Sequence, residues 1–473
     1  MKGIFFGVFL FINVFRGYTQ SFQVTPIKVA GPDNERINLV ILGEGYQSTE
    51  LPDFLADATT FSNNMFSQSP FKEYADYFNV YAIEVPSNES GADHPATATD
   101  VDETGSSPYF VDTYFDATFD AFGYHRYLYY GIDYADAASA EMKIRSVLAD
   151  NFPTYDQALI LVNTPTYGGT GGEFPIASTH ASSSEIAIHE LGHSMFHLKD
   201  EYLVPDVYYA EAINMTQETD ANIVKWKNWL GINGVGLYAY GTSGTPATWY
   251  KPRRGECKME VLNKPFCAVC REGMVEKIHE LISPLRSFSP SSSITNDPTS
   301  FPMQFEIDLL KPSPNTLESA WTLNSTNIVN NIDAVSIEEA NFIEGENMLT
   351  VAVHDNSPFL KVDHHETIHV YSITWTINYS TLGIEDIKSS VNDLSIDMYP
   401  NPANSIVNFK FKNTNNFNLN VAIVSIEGKQ LKRFSVSNQS SQKVDISELK
   451  TGVYLANFYV DDVLLVTKKI IKN

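Results

Sequence analysis

The sequence predicts a mixed α/β or α+β domain followed by two small all-β sandwich domains, and three observations lead there. Continuous apolar runs alternate with helix-period segments as far as about Pro284, and beyond it two-residue alternation takes over. From Leu394 onward the chain carries ten Lys/Arg against six Asp/Glu, whereas the whole chain has a net charge of −25, so its last stretch is a compositionally separate unit. At 473 residues the length exceeds one ordinary domain. Such acidity lacks the basic footprint that nucleic acid or an anionic membrane surface needs, and neither is an expected partner.

The N-terminus starts with Met1-Lys2 and continues with an apolar run, Ile4 to Phe15, broken only by Gly7 and Asn13. That is the length of a signal-peptide core, too short to span a bilayer, and residues 1–20 are expected to be removed on export. No later run is long and apolar enough for a transmembrane segment. INLVIL, residues 37–42, reads as a buried strand closed by the turn Gly43-Glu44-Gly45, and Leu51 to Met65 has helical spacing. Phe78 to Val85 and Ala158 to Val162 are further strands, which places the first domain over residues 21–284. Residues 285–300 are rich in Ser, Pro and Thr and read as a linker. Met303, Phe305, Ile307 and Leu309 then alternate with polar residues, as do Tyr371, Ile373, Trp375 and Ile377, giving a β-sandwich over 297–380. A second linker, 381–393, leads to the last all-β unit, 394–473, where SIVNFKF, NVAIVSI and VYLANFYV are strands and Glu427-Gly428 is a hairpin turn.

The stretch HELGHSMFHLKDEY, residues 189–202, concentrates three histidines, two glutamates and an aspartate. On a helix His189 and His193 share one face, one turn apart, and can chelate a single ion. Glu190 is then placed to reach a water activated by that ion rather than the ion itself, which is the H-E-x-x-H arrangement of a zinc-dependent hydrolase. Gly192 costs a helix about 1 kcal/mol, which makes sense where something approaches the backbone closely. A catalytic zinc takes three protein ligands and an open position. His197 on a continuous helix would lie about 12 Å from His189, too far to share the ion, so the chain has to bend after His193 before His197, Asp200 or Glu201 can serve.

These residues resemble the IgA-peptidase family of zinc metallopeptidases, which is metzincin-like. The family pattern H-E-[LF]-G-H-S-x-x-G-L-x-D-E-Y is matched by His189, Glu190, Leu191, Gly192, His193, Ser194, Leu198, Asp200, Glu201 and Tyr202. The likeness continues through INLVILGEGYQ (37–47), TYFDATFDAFG (113–123) and the cysteine-bearing segment Cys257 to Glu272. It implies a zinc endopeptidase acting on proteins or peptides, with Asp200 as third ligand beside His189 and His193, Glu190 as general base, and Met259 as the methionine that underlies the metal. One position departs: His197 stands where the family has glycine at the bend. Histidine tolerates left-handed backbone better than most residues, at a cost.

Cys257, Cys267 and Cys270 fall within fourteen residues; in an exported chain one disulfide with one thiol left over is the expectation, and His279 is the residue that would complete a zinc site instead. The glycine-rich Tyr167 to Gly172 suits an edge that pairs with an extended substrate, or a plain loop. Asp93, Asp100, Asp102 and Glu103 read as a solvated acidic loop, with a structural calcium as the sharper alternative. The C-terminal unit resembles the sorting domain of the type IX secretion system of Bacteroidetes through Tyr399 to Asn404, Gly452-Val453-Tyr454 and the basic ending Lys468 to Asn473. That resemblance implies the outer-membrane secretion machinery as partner and delivery to the cell surface or medium. The alternative to an enzyme is a surface adhesin whose metalloprotease-like domain binds without cutting.

Overall fold

The computed structural model describes residues 21–473 except 104, 204–208, 297, 299, 381–394, 413–418, 437–439 and 461–462; the expected signal peptide and second linker lie outside the described residues. The first region is built on β1 (Gln23–Lys28), β2 (Ile37–Glu44), α1 (Leu51–Phe66), β3 (Phe78–Glu84), β4 (Ala117–Thr118), β5 (Tyr129–Tyr130), α2 (Tyr134–Asn151), β6 (Gln157–Val162), β7 (Gly169–Thr170), β8 (Ile176–Ser178), α3 (Ser183–Ser194) and α4 (Ala268–Leu281). Six strands form one sheet in the order β1-β3-β2-β6-β8-β7. The inner pairs β3/β2, β2/β6 and β6/β8 are parallel, and β1 and β7 join antiparallel at the two edges. Every residue of β2 and β6 is buried, which is why both read as unbroken apolar runs. Successive β2 side chains serve opposite faces. Ile37, Leu39 and Ile41 pack with Phe54, Ala58 and Phe61 of α1, Ile188 and Leu191 of α3, and Val269 and Met274 of α4. Val40 and Leu42 pack instead with Ile144, Val147 and Leu148 of α2.

Beyond Pro284 the segment read as a linker already contains strands, Leu285–Ser289 and Ile294–Asn296. Leu285–Ser289 pairs with Met303–Leu309, and Phe288 sets its ring edge-on against Trp375, a contact its short serine-rich surroundings conceal. Leu317–Leu323, alternately buried, pairs antiparallel with Thr326–Asn330 and with Leu349–Asp355. The fully buried Asp355 lies 2.6 Å from Tyr74 Oη, 2.5 Å from Thr316 Oγ1 and 2.7 Å from His279 Nε2. Tyr77 Oη likewise donates to the Leu310 carbonyl at 2.7 Å. In the C-terminal unit a three-stranded sheet, Ser395–Tyr399, Ile406–Lys412 and Ser441–Asp445, encloses with a four-stranded one a core that includes Val407, Phe409, Ile423 and Phe458. The hairpin turn falls at Gly428, whose φ of +85° requires glycine.

Candidate active site

The helix α3 starts where Ser183 N donates to the His180 carbonyl and its hydroxyl meets Ser178 Oγ at 2.9 Å. It buries Ile186, Ala187, Ile188 and Leu191, and this fixes which way His189 and His193 face. A Cβ on Gly192 would lie 2.9 Å from Met259 Sδ, so the glycine is the slot into which the methionine packs. The chain leaves the helical path at His197, which adopts a left-handed φ of +57°. His197 N still donates to the His193 carbonyl, and Leu198 N reaches back to the Gly192 carbonyl at 2.9 Å, closing the turn that a glycine would ordinarily make.

That turn returns Asp200 to the histidines. Its Oδ1 lies 3.1 Å from His189 Nε2 and 3.1 Å from His193 Nε2, and the two nitrogens are 3.2 Å apart. Asn214, fully buried, holds the returning strand: its Oδ1 accepts from Lys199 N and its Nδ2 donates to the Lys199 carbonyl and to Glu201 Oε1. On their far sides, His189 Nδ1 lies 3.0 Å from the Lys258 carbonyl and His193 Nδ1 2.7 Å from the Leu198 carbonyl. Carbonyls only accept, so each Nδ1 carries a proton and each Nε2 is the atom that faces Asp200. Three potential ligand atoms thus converge on one place. A tetrahedral ion with bonds of about 2.0–2.1 Å would separate its ligands by about 3.3 Å, and the observed triangle fits such an ion.

Electrostatics show the same need for positive charge. Burial works to lower the His193 pKa, but the hydrogen bond and charge of Asp200 outweigh it and push it up to about 9. Burial would raise Asp200; its bonds to His189 and His193 win and hold it well below the usual carboxylate range. Glu190 is raised by burial, against the lowering influence of the two histidines. Its Oε2 lies against Gly171, where a Cβ would stand 2.5 Å away. The carboxylate therefore occupies space that only a glycine leaves free.

Residues 25–236 match the IgA Peptidase M64 family. The match implies a peptidase, and residues 397–473 match the secretion system C-terminal sorting domain, which marks the chain for export to the outer membrane, the cell surface or the medium. No curated protein matches the chain. Among solved structures it is similar to dimeric latent PorU from Porphyromonas gingivalis (15% identity, 32% of this chain and 14% of that one, TM-score 0.16). It is also similar to the BSP domain of a biofilm associated protein (15%, 38% and 28%, 0.15) and to a β-glucuronidase of Faecalibacterium prausnitzii (10%, 33% and 33%, 0.14). The chain spans a third or less of each. Among the described residues no helix is long and apolar enough to cross a membrane.

Within the M64 region and just past it, other expected residues fall as follows. Cys257, Cys267 and Cys270 are free, buried and mutually adjacent, while His279 points away from them to Asp355. Asp93 and Asp100 are engaged by the backbone of Val111 and His125, and Glu103 converges not with them but with His94, Asp120 and His125. The glycine-rich loop does contain the edge strand β7, but Gly169 N donates to the Arg126 carbonyl and Thr170 Oγ1 to that of Leu128, so its outer side is already covered. Gly171 of this loop reaches the site, against Glu190, while Gly172 lies against the Tyr129 hydroxyl. Asn214 escaped sequence reading: it lies in a loop without periodicity, and its role exists only once the chain has folded back.

Proposed function

We propose that this chain is a secreted zinc-dependent endopeptidase that hydrolyses peptide bonds of extracellular proteins, with His189, His193 and Asp200 as metal ligands and Glu190 as the general base. The observation that carries this reading is the convergence of two imidazole Nε2 atoms and one carboxylate oxygen, with both Nδ1 protons committed elsewhere. Zinc bound there would supply Lewis-acid activation of water, lowering its pKa toward neutrality. Glu190, adjacent to the ligand set but outside it, takes a proton from the attacking water and delivers it to the leaving amine nitrogen. The Lys258 and Leu198 carbonyls set the rotation of the two imidazoles, and Met259 packs against Gly192, which lies between them in the sequence.

The test is cleavage of a peptide library with blocked ends by the full chain. Internal bonds should be cut, cutting should stop with a chelator and resume with zinc, and Glu190→Gln should retain metal while losing about a hundredfold to ten-thousandfold in turnover. Binding of proteins without any cleavage, or near-normal cutting by the glutamine variant, would overturn the proposal.

A further inference from the structure

Glu201, the neighbour of Asp200, turns to the opposite side of the chain and meets the three cysteines. All four residues are buried. Cys257 Sγ and Cys267 Sγ each lie 3.6 Å from Cys270 Sγ, and Cys270 Sγ lies 3.3 Å from Glu201 Oε1. One ligand atom from each residue lies within 4.8 Å of all the others. In a tetrahedral site with zinc–sulfur bonds of about 2.3 Å, two sulfurs stand about 3.8 Å apart. Glu201 also has an unpartnered oxygen: Oε2 is buried and accepts no hydrogen bond, a condition that costs about 1–3 kcal/mol or more. A disulfide would join two of the sulfurs and leave the third beside this carboxyl group, whereas one cation engages every member.

The surroundings suit anionic ligands. Cys267 caps the N-terminus of α4 and Cys270 lies in its first turn, so the amide end of a fourteen-residue helix faces the sulfurs. Cys267 N lies 3.4 Å from Cys257 Sγ, and Asn214 Nδ2 donates to Glu201 Oε1 at 3.1 Å. The Lys251 ammonium bonds the Glu201 carbonyl.

We propose that Glu201, Cys257, Cys267 and Cys270 form a second metal site that holds one zinc ion through three thiolates and a carboxylate. With four protein ligands the site has no open position, so its role is structural. It ties together three segments that build the active site. Glu201 N donates to the Met259 carbonyl at 2.7 Å, and the Lys258 carbonyl orients His189, so the clamp fixes the Asp200 turn, the methionine turn and the start of α4 relative to one another.

The test uses the full chain purified without reductant. Denaturation in an alkylating agent followed by mass measurement should modify all three cysteines, where a disulfide would leave a single reactive thiol. Replacing the bound metal with cobalt(II) should give sulfur-to-cobalt charge-transfer absorption in the near-ultraviolet. That absorption should vanish in Cys270→Ser and persist in Asp200→Ala, which separates this site from the histidine site. Should Cys270→Ser fail to fold, the wild-type spectrum and thiol count still decide. One reactive thiol, or cobalt binding without the sulfur absorption, overturns the proposal.

Discussion

Replacing Gly171 with alanine tests whether the position of Glu190 matters to turnover. The added Cβ would stand 2.5 Å from Glu190 Oε2, whereas real contacts of this kind essentially never fall below 3.0 Å. The carboxylate therefore retreats by about 0.5 Å at the least. The same Cβ would be 3.9 Å from His193 Cδ2, an ordinary contact, so the ligand triangle stays as it is. A misplacement of about 1 Å at a reacting group can cost about a hundredfold. A loss of about tenfold to a hundredfold in kcat/KM is expected for Gly171→Ala, equivalent to about 1.4–2.7 kcal/mol of transition-state stabilisation. Steady-state cleavage of an internally quenched peptide measures it, alongside zinc content and the unfolding midpoint, both of which should match wild type. Full activity with normal metal would show that the glycine protects nothing and that proton transfer does not depend on where Glu190 now sits.

Metal analysis should find Asp200→Ala depleted of histidine-site zinc, while His197→Gly keeps it; relief of the left-handed backbone is offset by the greater freedom of glycine in the unfolded chain, so its stability should change by no more than about 0.5 kcal/mol. Burial pushes the Glu272 carboxyl up from 4.5 to about 7, against the lowering hydrogen bonds from Lys361 N and Trp229 Nε1. Because the folded value is the higher one, its contribution is complete below about pH 4.5 and is lost as pH rises through 7, to an extent of about 3 kcal/mol. Urea unfolding of Glu272→Gln should lack that part of the decline, and identical pH profiles would contradict it. Removing Leu394 to Asn473 should leave peptide cleavage intact and hold the protein in the periplasm of its host, which cell fractionation would reveal.

The parts legible in the sequence are those where local pattern and burial coincide. Strands 37–44 and 157–162 are covered on both faces and so read as apolar runs; Leu317–Leu323 is covered on one and alternates. His189, Glu190 and His193 were readable because helical spacing alone brings them together. Cys257, Cys267 and Cys270 looked like a disulfide candidate, since Glu201, more than fifty residues earlier, joins them only after the turn at His197 has reversed the chain. Whether the glycine-rich stretch forms an open edge or a plain loop is not legible for a similar reason: the segment 126–128 that bonds to β7 has no strand pattern of its own. Asn214 and the partnership of Glu103 with His94, Asp120 and His125 likewise depend on loops whose course no periodicity records.

The buried meeting of Tyr74, His279 and Asp355 bears on where this gene can be cut. A chain ended at Pro284 would retain two of the three partners and discard the carboxylate, leaving a tyrosine hydroxyl and an imidazole sealed in an interior that was shaped around an anion. It would also lose the Leu310 carbonyl that accepts from Tyr77 and the Lys361 amide that donates to Glu272, together with Leu310 and Leu360 from the core. The shortest self-sufficient chain therefore runs at least as far as Lys361, and a host protease that trims the mature protein after Ser380 spares every one of these bonds. Recombination that exchanged the stretch following Pro284 for an unrelated β-module would dismantle the first domain from within.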